Sequence, residues 1–189
     1  RSNVATTGSA SVTVHGAGFG VARYSAGVRT GYSACEATEW TSDTTVACKR
    51  AVGLRGTRRV AVTAGVRVGS LTEVFSYDHP AAEGVSANGQ ALDTVGGTPV
   101  TVYGANFGAV RMSASVRIGH SACEATFWFS DTSLVCTAAR GMRAMRRLAV
   151  TAGARTGSVT NAAAYAAPDP TAIDLDNAPT TGGTLITAT

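Results

Sequence analysis

The chain says nearly the same thing twice. Ser33–Cys48 reads SACEATEWTSDTTVAC and Ser121–Cys136 reads SACEATFWFSDTSLVC, 88 residues further on. The correspondence runs beyond this block. Gly8–Pro80 aligns with Gly96–Pro168 without a gap, and 41 of those 73 positions are identical. A repeat of this length constrains the fold more than any other feature, because each copy has to be a structural unit that its neighbour can stack upon. Gly182–Thr187 (GGTLIT) restates Gly96–Thr101 (GGTPVT), as the opening of a further copy would. The expected organisation is a first module over 1–80, a second over 81–168, and 169–189 as linker and first strand of a third. On this reading the chain is a slice of a longer tandem array.

Each copy carries one pair of cysteines with twelve residues between them. Joining Cys35 to Cys48 and Cys123 to Cys136 makes each module self-sufficient. Closing so short a loop contributes roughly 3 kcal/mol in the chain-entropy account, a large share of the stability of a module this small. Such bonds persist in secreted and cell-surface proteins. Two other states compete with this pairing: four buried free thiols, and a zinc site. Zinc is disfavoured, because there is no C-x-x-C spacing and His15, His79 and His120 occupy unrelated positions in the two copies. No metal and no cofactor is expected.

The local pattern is that of strands. Thr98–Tyr103 (TPVTVY) alternates polar with apolar side chains, the period of a half-buried strand. Ser113–Ile118, Leu134–Cys136, Leu148–Ala152 and Ser158–Tyr165 continue the series, with Gly, Asn and Asp turns between them. Phe107 and its counterpart Phe19 sit in Gly-rich turns and are expected to fold back as core plugs. Trp128 and Trp40 lie between the paired cysteines, where a large indole centres a β-sandwich. Tyr165 and Tyr77 close their modules. The predicted fold is all-β, two tandem sandwiches in a semi-rigid line, since Pro168, Pro170 and Pro179 stiffen the second linker.

Little in the chain invites catalysis. Glu36 and Glu124 read as solvated carboxylates, and Asp43 and Asp131 as turn caps. No His recurs beside a Ser or Cys, so a nucleophilic triad has no candidate. Gly16–Gly20 opens no helix and lacks a Lys for phosphate. Asp174, Asp176 and Asn177 fall short of the six to eight oxygens that Ca²⁺ takes. No apolar run approaches the ~20 residues of a membrane span. The chain is therefore expected to be no enzyme and to enter no membrane.

Charge does point somewhere. Fifteen of the sixteen basic residues are Arg, and the net charge of +4 is mild for a nucleic-acid binder. Arg50, Arg55, Arg58 and Arg59 in the first copy are echoed by Arg140, Arg143, Arg146 and Arg147 in the second, three of them at the 88-residue offset. One basic patch per module would dock an acidic protein or an anionic glycan, because guanidinium pairs carboxylates and sulfates bidentately. The competing reading is a solvated loop and a charged strand edge that resists edge-to-edge pairing.

Together, Gly96-Gly97-Thr98, Val100-Thr101-Val102, Gly104, Phe107, the pair Cys123 and Cys136, and the closing Tyr165 resemble the IPT/TIG domain, the immunoglobulin-like module of plexins, scatter-factor receptors, fibrocystin-like proteins and some transcription factors. The resemblance implies the sandwich fold and one disulfide per module, and no activity. The second copy departs at Ala163, where the first has Phe75, so its last strand is expected to pack more loosely. Long arrays of this kind resemble surface proteins of algae and other flagellated protists. That implies an extracellular structural or adhesive protein forming a stalk, a cell-surface layer or a mastigoneme-like ciliary filament. Its partners would be other modules of the same chain and neighbouring chains. The other reading is a ligand-binding ectodomain of a TIG-containing receptor, against which the near-identity of the copies counts.

Overall fold

The computed structural model describes residues 2–22, 26–54, 56–87, 90–109, 114–142, 145–172, 180–183, 185 and 187. Thr184 and Ile186 of the expected third-copy strand lie outside these residues, as do Arg55, Arg143, Asp174, Asp176 and Asn177.

The described residues form sixteen strands and no helix. The first module holds β1 (Ser2–Val4), β2 (Ser11–His15), β3 (Gly27–Thr30), β4 (Ser33–Ala34), β5 (Ala37–Ser42), β6 (Thr45–Lys49), β7 (Arg58–Ala64) and β8 (Arg67–Tyr77). They make two sheets, β1-β8-β7-β3-β4 and β2-β6-β5. The second holds β9 (Ala81–Ser86), β10 (Pro99–Ala105), β11 (Ser115–Ile118), β12 (Ser121–Ala122), β13 (Ala125–Ser130), β14 (Ser133–Thr137), β15 (Arg146–Ala152) and β16 (Arg155–Ala163). Their sheets run β12-β11-β15-β16 and β13-β14-β10-β9.

Alternation decides what each sheet buries. Val100 pairs with Cys136 and Val102 with Leu134, and all four are fully buried. From the other sheet, Val116, Ile118, Leu148 and Val150 meet them, with Phe107 sealing one end. Each module is stapled internally: Cys35 to Cys48 with Cα atoms 5.7 Å apart, and Cys123 to Cys136 at 5.9 Å. No cysteine is free, so neither the thiol nor the zinc reading stands. Trp40 and Trp128 pack against these clusters while remaining half-buried.

The modules differ in two places. First, β9 adds a fourth strand to the β10 sheet, antiparallel, with Val85 opposite Val102 and Ala81 opposite Ala105. Nothing in the local pattern of Ala81–Ser86 predicts this strand. Its AAEGVS composition carries no strong alternation, and what makes it a strand is the ladder that β10 offers. Covered by β9, Val100, Val102 and Phe107 are fully buried, whereas Val12, Val14 and Phe19 are only half-buried. Phe19 is thus a plug at the margin of its core rather than a central residue. Second, β8 runs to Tyr77 while β16 stops at Ala163, leaving Tyr165 a single bridge to Leu92. In the first module Phe75 holds that strand end, edge-on to Tyr77 at 5.8 Å.

Candidate functional site at the intermodule joint

The Arg groups do not form the uniform patch expected of them. Arg50 has no solvent exposure. The alternation of β6 explains this: Val46 and Cys48 point inward, and Arg50 follows on the same side. Its guanidinium lies 5.2 Å from the Phe75 ring and 5.3 Å from that of Tyr77, and none of its nitrogens has a hydrogen-bond partner. The second copy has Ala138 at this place and Ala163 for Phe75, so one large pair is exchanged for one small pair. Arg58 lies half-buried beside Gly31, and Arg146 lies beside Gly119 and donates to the Met142 carbonyl at 2.9 Å. Arg59, Arg140 and Arg147 are exposed. The exposed Arg29 and Arg117, which the sequence reading passed over, stand opposite Ala61 and Ala149, two positions along from Arg59 and Arg147. Each module therefore presents a diagonal Arg pair on an outer sheet face. The alternation within GVRT and SVRI was the signal for it.

A cluster of specific contacts lies where the modules meet. The Thr6 hydroxyl donates to Asp131 Oδ1 at 2.8 Å, and the same oxygen accepts the Gly108 N–H at 2.8 Å. Arg155 Nη1 donates to the Tyr77 carbonyl, and Asn106 Nδ2 to that of His79 at 3.2 Å. Leu54, from the loop before β7, is buried against the second module. A Cβ on Gly108 would come within 2.8 Å of Leu54 Cδ1, and one on Gly153 within 2.7 Å of the Leu54 carbonyl oxygen. Gly157 and Gly104 likewise leave room for the carbonyls of Pro80 and Ala81. A residue with a side chain at Gly108, Gly153 or Gly157 would hold the modules apart, and one at Gly104 would push β9 away from β10. The joint is therefore a fitted surface, closed by buried Pro80 and by β9, which leaves the first module and completes a sheet of the second. Neither Asp caps its own turn, a task that falls to Ser42 and Ser130, which accept the Thr44 and Thr132 N–H groups; Asp43 instead ties down the Gly16–Gly20 loop by accepting the Gly20 N–H at 2.9 Å, and Asp131 the corresponding loop and the joint.

A third feature belongs to one module alone. Tyr103, Phe127 and Phe129 are 50%, 53% and 77% exposed on the outer face of the β10–β14–β13 sheet. The first copy has His15, Glu39 and Thr41 at these places.

Among the described residues no group of three or more His, Cys, Asp or Glu could hold a metal ion, and no helix is long and apolar enough to cross a membrane.

Three comparisons bear on identity. The family model of the IPT/TIG domain matches residues 2–77 and 88–166. No curated protein matches the sequence. Among solved structures, the plexin A4 extracellular region is similar at 15% identity over 86% of this chain and 17% of its own, with a TM-score of 0.44. The surface glycan-binding protein PbSGBP-B from Prevotella bryantii is similar at 14% identity over 80% of this chain and 35% of its own, with a TM-score of 0.49. SGBP-B from a complex xyloglucan utilization locus in Bacteroides uniformis is similar at 15% identity over 87% of this chain and 48% of its own, with a TM-score of 0.38. The chain spans less than half the length of each. With two family matches that follow the repeat, and a disulfide-stapled sandwich under each, the chain belongs to the IPT/TIG domain family.

Proposed function

We propose that this chain is a rod-forming, non-catalytic part of an extracellular protein, whose modules hold a fixed stack and so transmit position and load along a stalk or surface filament. The observation that carries this is the joint. Three glycines make room for the preceding module, a buried leucine enters it, and three hydrogen bonds cross it. Beads on a loose tether need none of these. The internal disulfides favour an oxidising, extracellular setting. IPT/TIG modules are typically binding and spacing units without catalysis. A cell-surface layer or mastigoneme-like ciliary filament is an assembly that such a rod suits. The exposed pairs Arg29 with Arg59 and Arg117 with Arg147 recur along it and favour an acidic protein or anionic glycan alongside.

Small-angle scattering on the monomeric chain tests this. The native chain is expected to give one well-defined intraparticle pair-distance distribution, the same at every salt concentration. Gly157→Val, which drives a side chain into the Pro80 carbonyl, should broaden it. A native chain as broad as the variant would sink the proposal.

A second reading rests on the aromatic face. Three exposed rings confined to one module make an asymmetric patch, and such patches mark binding surfaces. Under this reading the second module is the ligand-binding domain of a surface receptor, and Phe127→Ser with Phe129→Ser abolishes capture of the ligand while leaving the scattering profile unchanged.

A further inference from the structure

We propose that the aromatic face of the second module binds an uncharged β-linked polysaccharide, which lies across Tyr103, Phe127 and Phe129 as an extended ribbon. This rests on the reading of that face as a ligand site and adds the chemistry of the ligand.

Charge in one copy gives way to rings in the other. The first module carries His15, Glu39 and Thr41 where the second carries Tyr103, Phe127 and Phe129. It also carries Lys49, 3.4 Å from Glu36, where the second has Thr137. As a result β10, β13 and β14 hold no charged side chain. The ladder beneath is the same in both copies, down to the β-bulge between Trp40 and Ser42 and between Trp128 and Ser130. A bulge re-aims the extra residue that it leaves unpaired. In the second module that residue is Phe129, the most exposed of the three rings.

This exposure does not depend on where a stack begins or stops. The second module has a module before it, and its three rings are exposed. The first has a module after it, and His15, Glu39 and Thr41 are exposed as well. Stacking through the joint therefore leaves the face open from either side.

Area and spacing select the ligand. At their exposures the three rings offer on the order of 350 Å². Each partner in a stable protein pair gives up about 800 Å², so a second copy or another protein would need a larger patch. A short stretch of sugar does not. Phe127 and Phe129 are two residues apart on one strand, about 7 Å. Tyr103 lies two strands away, about 10 Å. An extended ligand is needed to touch all three. A β-linked pyranose ribbon presents flat C–H faces, which the electron-rich faces of aromatic rings attract, and a rim of hydroxyls. Hydroxyls between the rings meet that rim. Ser133 stands opposite both Tyr103 and Ser130, and its Oγ is 2.7 Å from that of Ser130. A sulfated or carboxylated sugar would bring its charge onto strands that hold no cation to pair it.

Calorimetric titration of the full chain with cellohexaose tests this. Maltohexaose, whose α-linkages coil the chain, is the control. The native chain is expected to bind one cellohexaose, and maltohexaose about tenfold more weakly or less. Phe127→Ser with Phe129→Ser, both at exposed positions, should lower cellohexaose affinity by about tenfold or more and leave the scattering profile unchanged. His15→Tyr, Glu39→Phe and Thr41→Phe together build the missing rings on the same ladder, and that chain should bind two. The proposal is overturned by a native chain that binds no cellohexaose, or binds maltohexaose as well. It is equally overturned by binding that the double variant keeps, or by a three-ring first module that gains no site. Two further measurements on the double variant separate this from the reading beneath it: titration with a sulfated heparin hexasaccharide, and sedimentation of the chain alone. If cellohexaose fails but the variant abolishes heparin binding or self-association, the face remains a ligand site and only the uncharged glycan falls. If the variant changes neither, both ideas fall.

Discussion

Arg50 offers a sharp test of the forces in this fold. Replacing it with Met keeps the volume of a long unbranched chain and removes the charge. Two effects oppose each other. The guanidinium gains two ring contacts, at 5.2 and 5.3 Å, each worth up to about 2 kcal/mol when desolvated. Against that, it is wholly buried with Nε, Nη1 and Nη2 all unpartnered, and the effective cost of burying an ion is several kcal/mol. Apolar replacement of buried ionic groups is often neutral or stabilising by about 1–4 kcal/mol. Arg50→Met is therefore expected to stabilise the first module by about 1–3 kcal/mol. At roughly 5 °C per kcal/mol for a domain of this size, its melting transition should rise by about 5–15 °C.

Differential scanning calorimetry on the full chain reads this directly, provided oxidising conditions keep both disulfides intact. The second module, which has Ala138 at the equivalent point, is the internal reference. A double-mutant cycle with Phe75→Leu isolates the ring contact, expected at about 0.5–2 kcal/mol. A melting transition that falls by several degrees in Arg50→Met would refute the reasoning, because the ring contacts would then outweigh the desolvation of three unpartnered nitrogens.

Other outcomes follow from the same geometry. Gly157→Ala should lower the stability of the joined chain, since its Cβ would collide with the Pro80 carbonyl, while Gly69→Ala, facing open space, should be neutral or slightly stabilising; chemical denaturation of the two variants makes the comparison. Removing either disulfide by Cys→Ala pairs should cost its module about 2–5 kcal/mol, read as a lower urea midpoint for that module. Burial pushes the Tyr165 phenol above its ordinary value, with Arg146 pulling the other way, and its hydroxyl donates to the Ala139 carbonyl at 2.8 Å. The neutral form is thus favoured in the folded state. Its contribution is full below the unfolded pKa, about 10, and is lost as pH rises through the higher folded value. Stability of the second module should fall in that alkaline window, and Tyr165→Phe should flatten the fall.

Much of this fold was legible in the chain itself. The 88-residue offset defined the unit, the alternation of TPVTVY and LAVTA oriented its strands, and the cysteine spacing fitted a bridge inside each unit. These are local properties: side-chain period and short loop closure act over a few residues and leave their mark in any window that contains them. Arg50 shows where such reading ends. Its neighbours in sequence made it part of a surface group, but the parity of β6 turned it inward, and only the other sheet supplied the two rings that receive it. Ala81–Ser86 is a strand because β10 stands beside it, and Gly157 needs its missing side chain because Pro80 arrives from another module. Such roles depend on groups brought together by the folded chain, so the residues alone set what each module is. Tertiary structure decided which surface each module offers to the next.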